Sequence, residues 1–154
     1  MNTSLFRLFA VCFAGSRLGL AATFTVVNTA DFGSGSLRQA LLDANATVES
    51  DSIHFNIPGP GPHTISPVIG LPKITRPVII DGATQPGYAG QPLIELEGSG
   101  AFSTGYGLWI TAGDSTVRGL AINRFGGRGS FQILLETKGT NTIVGNYIGL
   151  DVTG

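Results

Sequence analysis

The chain has 154 residues, enough for one domain with a real core. Charged residues make up 12% against 42% hydrophobic, which argues against disorder, a state that needs high net charge and few apolar groups. A formal net charge of −1 supplies no basic field for nucleic acid or an anionic membrane, so neither is an expected partner. Glycine numbers 23, roughly twice average usage, which suits many short strands joined by tight turns.

Residues 1–22 read as a secretory signal: Arg7 in a positive n-region, a short apolar run over 8–15, and a small-residue cleavage site at 19–21 or 20–22. Arg7 and Arg17 leave far fewer than the roughly 20 uninterrupted apolar residues of a transmembrane helix. The only cysteine, Cys12, lies in this leader, so the remainder can form neither a disulfide nor a cysteine metal site. Removing 1–21 takes away two arginines and no acid, leaving seven basic and ten acidic residues, a net of −3.

After the leader, 23–27 is a β-branched and aromatic run, a strand by composition. Residues 28–35 carry loop chemistry, and SLRQ at 36–39 fits a capping box, with Ser36 bonding the N3 amide and Gln39 reaching back. The spacing of Leu37, Ala40, Leu41 and Ala44 predicts one amphipathic helix over 36–45, with Asn45 as its stop. Ile53, Phe55 and Ile57 alternate with His54 and Asn56, a half-buried strand over 52–57. PGPGP at 58–62 must turn; 63–65 and 67–69 are short extended pieces, and 77–81 and 93–97 are strands, each ending in an acid followed by Gly.

Beyond 105 the chain repeats at an offset of 26: STVRGLAI at 115–122 aligns with NTIVGNYI at 141–148. Val117 falls on Ile143, Gly119 on Gly145, Ile122 on Ile148, and upstream Leu108 falls on Leu134. Such a period points to a solenoid. The expected fold is therefore all-β: a right-handed parallel β-helix with an N-terminal cap containing one short helix, few rungs and an open C-terminal end. The expected division is a leader at 1–22, a cap with first rungs at 23–104, and regular rungs at 105–154, cut off in what reads as the start of a further turn.

The segments 25–45, 51–65, 71–100, 115–125 and 141–154 together resemble the N-terminal module of large exported bacterial β-helix surface proteins, the group named for a CSLREA-type motif. The likeness spans 23–154 in order; SLRQA at 36–40 lacks the preceding Cys and has Gln39 for Glu. It implies a secreted or cell-surface setting in a bacterium and no particular reaction; a glycan or envelope component is the expected partner.

A polysaccharide lyase or glycoside hydrolase needs carboxylates converging with a base or with each other. The acids are Asp81, Glu95, Glu97, Asp114, Glu136 and Asp151; the bases include Arg118, Arg124 and Arg128. Glu95 and Glu97 alternate along one strand and share a face, so they are the one tidy acidic pair, and Arg118 and Arg124 flank 117–122. These four are the catalytic candidates, set against a reading as solvated side chains. His54 and His63 have no partner at ligand spacing, so no metal site is expected, and no cofactor motif is present. Calcium enters only if the chain belongs to a carbohydrate-active enzyme. Trp109 and Tyr147 read as buried aromatics, or as sugar-stacking platforms if they face outward; Asn28, Asn123 and Asn146 suit corner ladders. The balance favours a structural, adhesin-like segment of a longer protein, with the N-terminal part of a lyase or hydrolase as the alternative, and self-association through the open end as a further expectation.

Overall fold

The structure is a computed structural model that describes residues 19–100, 105–127, 129–136 and 139–154. Most of the expected leader, including Cys12, and the candidate base Arg128 lie outside the described residues.

Among the described residues, eleven strands, one α-helix and a 3₁₀ turn follow one another as β1 (Thr23–Val26), α1 (Leu37–Ala46), β2 (Asp51–Phe55), β3 (His63–Ile65), β4 (Val78–Asp81), the 3₁₀ turn Gly82–Thr84, β5 (Ile94–Glu97), β6 (Tyr106–Ile110), β7 (Thr116–Arg118), β8 (Leu120–Asn123), β9 (Phe131–Leu135), β10 (Thr142–Val144) and β11 (Tyr147–Ile148). They form three sheets, β1-β2-β4-β7-β10, β11-β8-β5-β3 and β6-β9, and every pairing is parallel.

This corrects the all-β right-handed β-helix. The sheets are three separate open ones, none closed on itself, and α1 contributes Leu37, Ala40, Leu41 and Ala44 to the same hydrophobic core as the strands, so the arrangement is mixed, of α/β type. The reason lies in the uneven spacing upstream of the repeat. Down the first sheet, Phe24 pairs with Ile53 after 29 residues, Ile53 with Ile80 after 27, Ile80 with Val117 after 37, and Val117 with Ile143 after 26. The 26-residue step holds for the last pairing of the first sheet and the last two of the second, Leu96 to Ile122 to Ile148, and does not extend to the whole chain.

Where the period was read, the register keeps it. Val117 pairs with Ile143 and Ile122 with Ile148, and the Gly119 amide donates to the Gly145 carbonyl at 3.2 Å. The third sheet departs by one residue: Leu108 pairs with Ile133, and Trp109 with Leu134.

Parallel in-register pairing places like side chains in rows. Ile53, Ile80 and Val117 form one fully buried row, and Leu96 and Ile122 belong to another. Strands this apolar and β-branched belong in a parallel sheet whose faces are covered. At the glycine bend between β7 and β8, Gly119 has φ +70°, and a Cβ there would come within 2.6 Å of the Ala83 amide nitrogen.

At the start of the chain α1 packs on β1 and β2. Ser36 caps it by accepting from the Gln39 amide at 3.2 Å, but Gln39 turns forward to donate to Asp43 at 2.8 Å, so only half of the expected capping box forms. The helix runs to Ala46 with Thr47 as its C-cap. Asn45, expected as its stop, instead donates to the Lys73 carbonyl at 2.7 Å and accepts from the Thr75 amide at 2.8 Å. Residues 67–69 form no strand, and Val68 and Ile69 are exposed.

Candidate functional site

The second sheet brings three of the four candidates together. Ile94 and Leu96 of β5 point into the core, so the alternate positions Glu95 and Glu97 share the outer face. Glu95 pairs in register with Thr64 and Ala121, and Glu97 with Asn123. Glu95 accepts from the Thr64 hydroxyl and from Asn123 Nδ2, both at 2.8 Å. Glu97 accepts from the Ser99 amide at 3.0 Å and the Ser66 hydroxyl at 3.3 Å, with Arg124 Nη1 3.9 Å from its Oε1.

Glu97 departs from the solvated reading, since only 7% of the residue is exposed. Burial works against its charge, but the hydrogen bonds from Ser99 and Ser66 and the nearby Arg124 outweigh that, and its carboxyl titrates below the usual 4.5. A carboxylate held ionised by donors already in place is poorly suited to act as a general acid.

Arg118 belongs elsewhere. Gly119 divides 117–122 into β7 and β8, which enter different sheets, so the two arginines expected to flank one strand are parted. Arg118 pairs with buried Asp81 at 2.5 Å, and that hydrogen bond raises the guanidinium's already high pKa. Asp81 also accepts from the Ala83 amide at 3.1 Å, which fits its reading as a turn residue. Asp114 occupies a turn at φ 55°.

His63 is buried, with Nε2 3.1 Å from Gln85 Nε2, whose amide also binds both backbone groups of Ile57. Among the described residues no three His, Cys, Asp or Glu side chains gather where they could hold a metal ion. Trp109 is half-buried: its indole donates to Glu136 at 2.9 Å, Lys73 Nζ lies 3.4 Å from the ring centroid, and Tyr106 meets it edge-on. The three asparagines make no ladder with one another. Asn28 closes its own loop, Asn146 bridges to the Leu120 amide and the Val117 carbonyl, and Asn123 binds Glu95 and the Leu150 carbonyl.

Sequence reasoning missed Thr64, Ser66 and Asn123 as carboxylate partners. Their rows are visible only once the register of β3, β5 and β8 is known. No helix among the described residues is long and apolar enough to cross a membrane. No protein-family model matches the chain, and no curated protein matches it.

Proposed function

We propose that the chain is a structural interaction segment of a secreted or cell-surface protein, and that the edges of β9, β10 and β11, the last strands among the described residues, are its contact surface, through which this chain by itself pairs with a second copy. One observation carries this reading. Within a single inward row, Leu96 and Ile122 are buried to 1% and 0% exposure, while Ile148 of the last strand is 49% exposed; Ile110 at 0% is followed by Leu135 at 47%. At the opposite edge Val26 of β1 is fully buried, with α1 packed on its strand. Among the described residues one end is covered and the other is bare.

The bare strands read FQILL, TIV and YI and hold no charged residue, whereas natural sheet edges are usually defended by Lys, Pro or a bulge. Nothing electrostatic therefore opposes pairing with the same edge of another copy. Export is supported by the leader-like composition of 1–22, and the surface setting by the resemblance to exported bacterial surface proteins. Three of the four candidate side chains, Glu95, Glu97 and Arg118, are engaged with neighbours of the fold, which favours interaction over catalysis.

The test places charge on the edge. Sedimentation velocity of the Leu135→Lys and Ile148→Lys variants should give monomers where the unaltered chain gives dimers or larger species. Equal association in both would refute the edge as the contact. Release of new reducing ends or unsaturated uronides from a polysaccharide panel, lost in Glu95→Gln, would favour the lyase or hydrolase reading instead.

A further inference from the structure

The outer face of the second sheet contains an acceptor without a donor. Asn123 is 2% exposed, and its Nδ2 donates to Glu95 Oε1 at 2.8 Å and to the Leu150 carbonyl at 3.0 Å. Both partners are acceptors, so the orientation of the amide is fixed: exchanging its O and N would set oxygen against two oxygens. Asn123 Oδ1 is left buried with no hydrogen-bond partner. Buried polar atoms in folded proteins are almost always paired, and an orphan acceptor marks a place for a donor.

Asn123 lines a recess of about 250 Å³ together with Arg124, Gly149, Leu150, Asp151 and Thr153. That is slightly below the ~300–1,000 Å³ of drug-sized ligand pockets and suits a single small polar molecule. The Arg124 side chain is 64% exposed and reaches Glu97 only at 3.9 Å, so most of its donors remain available. Asp151 is held ionised by hydrogen bonds from the Thr153 hydroxyl at 2.6 Å and the Thr153 amide at 2.9 Å.

We infer that this recess binds a neutral polyhydroxy ligand, a sugar unit or similar polyol. The complement to an orphan acceptor, a carboxylate and a guanidinium is a group that both donates and accepts, which hydroxyls do. Charge narrows the class further. Glu95, Glu97 and Asp151 outnumber Arg124, which disfavours an acidic sugar, while Arg124 at the rim disfavours a bare cation. One hydroxyl donates to Asn123 Oδ1, and its neighbours pair with Arg124 and Asp151. The recess is lined by residues of one chain and needs no second copy.

The test is a nuclear magnetic resonance titration of the full 15N-labelled chain with methyl β-D-galactopyranoside, sodium D-galacturonate and calcium chloride in turn. The neutral glycoside should move the Asn123 side-chain amide and the Arg124 and Asp151 backbone amides, saturating in the millimolar range. Asn123→Ala should abolish the response. Because that change also removes the bonds to Glu95 and Leu150, the exposed Asp151→Asn provides a variant whose fold is not at risk, and it should weaken binding about tenfold, as for loss of one charge-assisted hydrogen bond. Absence of any saturable shift, preference for galacturonate, a response to calcium alone, or shifts confined to other residues would each overturn the inference.

Discussion

Asp31 and Arg38 illustrate how a single side chain can hold two segments. Arg38, only 8% exposed, binds Asp31 at 2.5 Å and also donates to the Ile69 and Gly70 carbonyls, both at 2.8 Å, while Asp31 accepts from the Val68 amide. The guanidinium thus ties the helix to the irregular loop after β3. Arg38→Ala should cost about 3–5 kcal/mol in urea unfolding, because it strands a nearly buried carboxylate; a loss under 1 kcal/mol would mean that the clamp is ornamental. Sequence reading passed over Arg38, since an arginine in an amphipathic helix ordinarily faces water and its loop partners are remote in the chain. Glu97 gives a second residue-scale prediction. Its folded pKa lies below its unfolded value, so its contribution to stability is present above the unfolded pKa near 4.5 and is lost as pH falls through the folded one. Urea midpoints measured at neutral pH and again well below 4.5 should fall less steeply in Glu97→Gln than in the parent chain. Equal acid sensitivity in the two proteins would contradict the assigned bonds to Ser99 and Ser66.

Elements were legible where local chemistry decides them. Helix α1 follows from Ser36 and the apolar spacing of Leu37, Ala40, Leu41 and Ala44, and the alternation of Ile53 and Phe55 foretold β2. After PGPGP, the pieces expected at 63–65, 77–81 and 93–97 fell close to β3, β4 and β5, whereas 67–69 formed no strand. What the sequence could not convey was sheet membership, which depends on long-range pairing; β7 and β8 are adjacent in the chain and lie in different sheets because Gly119 bends between them. That bend yields a contrast between two glycines aligned by the repeat. Gly119 and Gly145 both have positive φ, but a Cβ at 119 would strike the backbone of Gly82 and Ala83, whereas none lies within 4 Å at 145. Gly145→Ala should cost about 1–2 kcal/mol from the left-handed backbone alone. Gly119→Ala should cost clearly more, since backbone must also shift, and equal thermal melts for the two would contradict the close packing of the bend against the 3₁₀ turn.

For the whole molecule, the 26-residue repeat was real but covered only the last units, and extending it over the chain led to the wrong fold class. Irregular steps of 29, 27 and 37 residues earlier in the first sheet, with a helix built into the core, make the mixed arrangement. The candidate site was half legible: the shared face of Glu95 and Glu97 follows from strand alternation, while their partners come from other strands and Arg118 is diverted to Asp81. The same parallel stacking creates the asymmetry of the two ends. Each inward row is closed by the next strand until β9, β10 and β11, where no further strand follows within the described residues and apolar side chains are left at the surface. Burying such surface is favourable at roughly 25 cal/mol per Å², and strand pairing would satisfy the free backbone groups at the same time.

Sedimentation velocity of the chain without residues 1–22, over a concentration series spanning the micromolar range, tests this most directly, since an interface worth roughly 8 kcal/mol half-dissociates near 1 µM. Sedimentation coefficients that rise with concentration, and that collapse to the monomer value in Ile148→Lys, are the predicted result. A sharp monomer at every concentration, unchanged by that substitution, would contradict the proposal that the bare strand edge is this protein's interaction surface.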